Sequence, residues 1–339
     1  MQRDMQREEH PFAKFVAILG RGKTKQRHLT FEEARESMAM LLRRETEPEQ
    51  TGAFLMLLRL KEESPDEIAG FAAAVRDVIA DAIPAAMPRV EFDVPSYAGK
   101  RKQLPWYLLA AFTLAAQGRK VCMHGAEGHT AGRLYIGEAL TALGREMAAS
   151  WDDAARQLER ENFTYIPLSV LQPRLDELIN LKPILGLRSP VNTFPRLINP
   201  LNAPVMANGI FHRGFLETHT GAAMRLGQER FCVFRGEGGE PERRVGKTCE
   251  VAYVNGGEEW RERWPAMVEE PRVPVEEALD PRLLAAVWRG EATHDYGEAA
   301  TIGTLAVWLR TAGDVDDMQQ AEALARDMWN ARPRQLLAA

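Results

Sequence analysis

Up to about residue 84 the apolar positions recur at helical spacing, with no strand-like alternation. Thr30-Phe31-Glu32-Glu33 has the form of a capping box, in which the Thr hydroxyl and the Glu carboxylate satisfy free N–H groups. It predicts a helix running to about Arg44. Pro48, suited to a first-turn position, opens a second helix with Phe54, Leu55 and Leu58 on one stripe. Ser64-Pro65-Asp66-Glu67 is another capping box, and its helix carries Phe71, Val75, Val78 and Ile79 before Pro84 ends it. Residues 1–84 are therefore expected to form a small all-helical domain.

From about Val90 the pattern changes. Val90-Glu91-Phe92-Asp93-Val94 alternates as a strand does, and further strands are predicted at Arg119 to His124, Phe163 to Ile166, Ala203 to Ala207, Phe231 to Phe234 and Cys249 to Val254. Helices are predicted between and after them, at about Pro105 to Ala116, Ala131 to Leu143, Phe211 to Leu226, Arg282 to Val287, Tyr296 to Ala312 and Asp316 to Ala331. Strands alternating with helices imply an α/β domain over 90–339, its mostly parallel sheet covered by helices on both faces. Ligands of such sheets bind beyond the carboxyl ends of the strands. That singles out three loops, 96–104, 124–131 and 186–201.

Composition narrows the class. With 339 residues, 45% hydrophobic and 27% charged, the chain can bury a sizeable core. It has no apolar run of about 18 residues, so no membrane span is expected. The opening MQRDMQREEH lacks an apolar signal region. Cys122, Cys232 and Cys249 are far apart and lack the paired spacing of a zinc site; they read as reduced core residues of a cytoplasmic protein. The net charge of -5 argues against a surface that is basic throughout. Its distribution is uneven, however. Acidic residues gather around Glu258, Glu259, Glu269, Glu270, Glu276, Glu277 and Asp314 to Asp317, whereas Arg21, Lys23, Lys25 and Arg27, then Lys100, Arg101 and Lys102, form basic clusters.

In the first loop, Ser96-Tyr97-Ala98-Gly99-Lys100-Arg101-Lys102 joins a strand to a helix, an arrangement able to hold phosphate through backbone N–H groups, the helix dipole and side-chain charge. In the second, Gly125 and Gly128 permit close backbone approach to a ligand beside His124 and His129; the spacing of the His and Glu127 side chains matches no common metal site. In the third, Arg188 and Arg196 offer forked donors to phosphate or carboxylate, or else pin the loop to the domain. Gly246-Lys247-Thr248 is not a phosphate-binding P-loop, because Pro241 falls where the earlier glycine belongs. Gly236 to Glu240 reads as a turn, and the scattered tryptophans Trp260, Trp264, Trp288, Trp308 and Trp329 read mostly as core.

These loops, in this order after a helical unit, resemble the family of anthranilate phosphoribosyltransferase and the pyrimidine nucleoside phosphorylases, which has the type II nucleoside phosphorylase fold. The stretches Phe15 to Lys23, Leu29 to Ala34, Pro95-Ser96-Tyr97 and Leu187 to Asn192 are similar to the anthranilate phosphoribosyltransferase-like, glycosyltransferase family 3 proteins of the YbiB type. The resemblance implies a homodimer formed through the helical domain, with residues 168–186 packing back onto that domain. It also exposes departures. The family cradles diphosphate with Gly-Thr-Gly-Gly-Asp, of which Gly99 remains; its Lys-His-Gly-Asn is Met123-His124-Gly125-Ala126 here; its magnesium-binding Asp-Glu pair is Pro241-Glu242.

Such losses, together with the non-specific nucleic-acid binding that the resemblance to YbiB-type proteins implies, point to a non-catalytic protein without cofactor. It would bind single- or double-stranded nucleic acid non-specifically in a basic interdomain groove, by neutralising phosphates. Gly99, Lys100, Arg101, Lys102, His124, Gly125, Arg188 and Arg196 are expected to line that groove, with Arg21, Lys23, Lys25 and Arg27 extending it. The alternative is a phosphoribosyltransferase using Mg²⁺ and phosphoribosyl pyrophosphate on an aromatic or nucleobase acceptor, with Glu242 as the remaining metal ligand.

Overall fold

The computed structural model describes residues 8–22, 24–269, 275 and 278–335. A helical layer comes first: α1 (Ala13–Gly20), α2 (Phe31–Leu42), α3 (Pro48–Lys61) and α4 (Pro65–Ile79). Both expected capping boxes form, Thr30 closing on Glu33 and Ser64 on Glu67. The helices α2 and α4 cross closely at Gly70, where an added Cβ would lie 2.4 Å from the Phe31 carbonyl oxygen.

The remainder builds a seven-stranded sheet: β1 (Phe92–Ser96), β2 (Val121–Gly125), β3 (Phe163–Pro167), β4 (Val205–Ile210), β5 (Arg230–Arg235), β6 (Cys249–Asn255) and β7 (Glu258–Trp264). Its order is β3-β2-β1-β4-β5-β6-β7; the first five strands run parallel, while β6 and β7 are antiparallel. Between β1 and β3 lie α5 (Tyr107–Ala116), α6 (Ile136–Ala142) and α7 (Trp151–Glu161). Three short helices then lead to β4: α8 (Leu168–Leu171), α9 (Pro173–Ile179) and α10 (Lys182–Leu185). After β4 come α11 (Phe215–Arg225), α12 (Arg282–Arg289), α13 (Asp295–Ala312) and α14 (Met318–Asn330).

Each face of the sheet carries its own core. Val121 and Met123 of β2 face α5, α13 and α14, joining Trp106, Trp308 and Trp329; Cys122 faces the helical layer, joining Phe71, Leu216 and Ala222. Burial on both faces leaves the parallel strands mostly apolar, with Asp93, His124, Thr164 and Asn208 among the buried polar exceptions. The helical layer is thus continuous with one face of the α/β domain, and Arg76 of α4 reaches the Leu197 and Ile198 carbonyls ahead of β4. The short helices also meet that layer: Arg44 pairs with Glu177, and Gly52 faces Leu185. Among the described residues no helix is long and apolar enough to cross a membrane.

Candidate anion site in the interdomain cleft

The loop leaving β1 turns at Gly99, whose φ of +68° suits glycine. The next residue does not point into a groove. Lys100 is 1% exposed, and its Nζ donates to Glu242 Oε1 at 2.5 Å, while Glu242 Oε2 accepts the Tyr107 N–H at 3.0 Å. Lys100 backbone atoms also bridge to Leu134, with both N–H groups donating across. Burial pushes the Glu242 carboxyl up to about 7, against the pull of the Lys100 ammonium. The expectation that Lys100 lines the groove is therefore corrected: a buried carboxylate draws it inward. Arg101 and Lys102 remain exposed at the loop surface.

Glu240, which the sequence reading did not single out, lies beside this loop. The backbone N–H groups of Ala98 and Gly99 donate to its Oε1 at 2.7 and 2.5 Å. The side chain is brought there by the glycine-rich turn after β5. At Gly236 an added Cβ would meet the Glu240 carbonyl oxygen at 1.7 Å, and at Gly209 it would meet the Glu240 carbonyl at 2.1 Å, so only glycine lets the chain pass.

His124 and Gly125 are also placed differently from expectation. The His124 ring is buried between the Tyr97 hydroxyl, 2.8 Å from Nδ1, and the Asp93 carboxylate, 3.3 Å from Nε2. Gly125 is needed for strand packing, because a Cβ there would lie 1.8 Å from the Ser96 carbonyl oxygen. Both residues hold β2 against β1, and neither lines the cleft. Nearby, Glu127 accepts from the Tyr165 hydroxyl, and burial raises its carboxyl to about 7.

The cleft lies between the helical layer and the carboxyl ends of β1 and β4, with a cavity of about 250 Å³. Four guanidinium groups line it: Arg59 from the end of α3, Arg133 from the loop before α6, and Arg188 and Arg196 from the loop before β4. Arg133 donates to the Ala98 and Gly99 carbonyls at 2.7 and 3.2 Å, Arg188 to Thr130 Oγ1 at 3.2 Å, and Arg196 to the Asn192 carbonyl at 2.6 Å. Among the described residues none of the four makes an ion pair. Burial lowers the pKa of Arg133 and Arg196, yet guanidinium stays charged near neutrality. Arg196 thus both pins its loop and faces the cavity.

Phe211 and Phe215 supply apolar wall, and Glu63, whose carboxyl burial raises, is the acidic residue of the lining. His219 presents a lone pair. Its Nδ1–H donates to the Phe215 carbonyl at 2.9 Å, Nε2 is buried without a partner, and burial holds the ring neutral with a pKa of about 3. Arg59 and Arg133 were missed by the sequence reading, since neither belongs to the basic runs or to the three loops' cations singled out there. Of the expected extension, Arg27 is bound to Glu33 at 2.6 and 2.7 Å, Arg21 and Lys25 are exposed away from the cavity lining, and Lys23 falls outside the described residues.

The residues do not fit a magnesium diphosphate. Glu242 is already neutralised by Lys100 and preceded by Pro241, and the N–H groups of the Gly99 turn are taken by Glu240. Among the described residues no group of three or more His, Cys, Asp or Glu side chains could hold a metal ion.

A helical bundle set against a largely parallel α/β sheet, with a cationic cleft between them, defines the class of two-domain glycosyl and phosphoribosyl transferases. Residues 17–78 match the glycosyl transferase family helical bundle domain, and residues 107–331 match the glycosyl transferase family a/b domain. The chain belongs to that family, in its anthranilate phosphoribosyltransferase-like group. It is 29% identical to anthranilate phosphoribosyltransferase of Synechococcus sp. strain CC9902, over 88% of this chain and 87% of that protein. To the enzyme of Exiguobacterium sibiricum it is 27% identical, over 78% and 80% respectively. In fold it matches anthranilate phosphoribosyltransferase from Thermus thermophilus, with a TM-score of 0.78 and 24% identity, covering 95% of this chain and 94% of that one. The Saccharomyces cerevisiae enzyme in complex with PRPP and Mg gives a TM-score of 0.75 at 14% identity, covering 96% of this chain and 94% of that one.

Proposed function

We propose that this protein is a non-catalytic member of its family that binds nucleic acid in the interdomain cleft without sequence preference. The observation that carries the reading is the set of four guanidinium groups, unpaired with carboxylates among the described residues, around one cavity. Arginines without carboxylate partners suit phosphate, and affinity follows from its neutralisation. Arg101 and Lys102 continue the cationic surface on the loop that also borders the cavity at Ala98. Exposed Phe211, half accessible, offers a ring to an unstacked base, which favours single strands.

Fluorescence anisotropy of a labelled single-stranded oligonucleotide tests the reading. Sub-micromolar binding at low salt, lost in the double variant Arg133→Glu/Arg188→Glu, is expected. Absence of binding by the unaltered protein at low salt overturns it.

A second reading, phosphoribosyl transfer to an aromatic acceptor, draws on the activity named for the relatives, and Phe211 and Phe215 beside the arginines would suit an aromatic anion. Phosphoribosyl pyrophosphate with Mg²⁺ would then raise the unfolding temperature markedly, and only in the presence of the metal.

A further inference from the structure

Two charges of the protein itself lie buried beside the cleft, at the loop where a diphosphate and its metal would be held in the family this chain resembles. We infer that Glu240 and Lys100 are built-in occupants: the Glu240 carboxylate fills the anion position over the Ala98 and Gly99 N–H groups, and the Lys100 ammonium fills the cation position against Glu242. The inference deepens the non-catalytic half of the proposed function and rests on it, but does not depend on what the arginines bind.

The anion position is defined by geometry. A positive-φ glycine turn after a parallel strand aims consecutive N–H groups at one point, and such a concavity binds an oxyanion. Here both N–H groups converge on a single carboxylate oxygen, at 2.7 and 2.5 Å. Glu240 is 1% exposed, and its second oxygen, Oε2, is buried with no partner. A carboxylate held this way has given up hydration for two charge-assisted bonds, so the N–H pair and the carboxylate need each other. Any incoming phosphate must displace a buried charge from both of its N–H donors.

The cation position is defined by the paired charge. Glu242 is fully buried, and one of its oxygens is fixed by the Tyr107 N–H at 3.0 Å. Its other oxygen meets Lys100 Nζ, which is itself 1% exposed. A monovalent ammonium on a tether of the same chain thereby supplies the counter-charge that a bound metal would otherwise bring. The two pairs interlock, since Gly99 and Lys100 are adjacent, as are Glu240, Pro241 and Glu242. The arginines stand close by: Arg133 donates to the Ala98 and Gly99 carbonyls, and the Glu240 charge acts on both Arg133 and Arg196 without a direct ion pair.

Calorimetric titration with inorganic pyrophosphate separates occupancy from mere charge. The unaltered protein is compared with Glu240→Ala, which empties the N–H pair, and with Glu240→Gln, whose amide oxygen still accepts from both N–H groups. The expected result is at least a tenfold gain in pyrophosphate affinity for Glu240→Ala, with Glu240→Gln close to the unaltered protein. No gain in a folded Glu240→Ala overturns the inference, and so does an equal gain in Glu240→Gln, which would show repulsion instead of occupancy. Should Glu240→Ala fail to fold, the Gly99 amide resonance of the unaltered protein decides: it stays fixed under saturating pyrophosphate if Glu240 holds its place, and moves if Glu240 yields. Turnover of phosphoribosyl pyrophosphate by the unaltered protein would sink the proposed function separately, whatever the Gly99 amide shows.

Discussion

Lys100 shows how burial can reverse the meaning of a basic residue. Read along the chain it is the first of three cations in a loop; in space it is the counter-charge of Glu242, 142 residues away. Replacing Lys100 with Met leaves a buried, unpaired carboxylate and should cost about 3–5 kcal/mol in denaturant unfolding. Because Glu242 can escape by taking up a proton, the loss should be smaller at pH 5 than at pH 8. The double variant Lys100→Met/Glu242→Gln should recover much of it. A neutral Lys100→Met would mean that the pair is not buried as described. Glu127 gives a cleaner dependence on pH. Its folded value of about 7 lies above the ordinary 4.5, so the folded state binds the proton more tightly than the unfolded one. Stability should therefore fall as pH rises from about 4.5 to about 7, and Glu127→Gln should flatten that part of the thermal unfolding profile.

At the scale of elements, the capping boxes of α2 and α4 were legible because their chemistry is local: a hydroxyl and a carboxylate three residues apart. Glu67 does more than cap α4. Its buried carboxylate accepts from the Leu29 and Ser64 N–H groups at 2.9 and 2.8 Å and from Lys61 at 2.9 Å, tying three helices together. Glu67→Ala should destabilise by about 3 kcal/mol or more, measured by chemical denaturation, whereas Ser64→Ala should cost about 1 kcal/mol. Comparable losses from the two would reduce Glu67 to an ordinary cap.

Other elements were illegible for physical reasons. The helix α7 was not foreseen, since only Ala154 and Leu158 of its residues are buried. The strand β7 reads Glu-Glu-Trp-Arg-Glu-Arg-Trp, and its charges suit an exposed sheet edge. What holds it is its hairpin partner β6: Trp264 Nε1 donates to the Tyr253 hydroxyl at 2.9 Å, and Trp260 stacks on the Tyr253 ring. The antiparallel run of β5, β6 and β7 also escaped notice, because strand direction is written in connections and not in alternation.

For the whole molecule, the fold class was legible from periodicity and the order of elements. The three loops were legible too, as the places where strands end. Which side chains of those loops reach the cleft was not, because that depends on partners remote in sequence: Glu240 for Gly99, Asp93 for His124, Glu242 for Lys100. The cleft instead draws Arg59 from the helical layer and Arg133 from the loop before α6, two residues whose convergence only folding reveals.

The central claim, that these arginines neutralise nucleic-acid phosphates, is tested most directly by the salt dependence of oligonucleotide binding. Each phosphate contact on a single strand contributes about 0.7 to the slope of log K against log salt concentration. Arg133→Ala/Arg188→Ala should therefore weaken binding to every sequence alike and reduce that slope by about 1.4. A slope unchanged from the unaltered protein would place the nucleic acid elsewhere and contradict the assignment of the cleft.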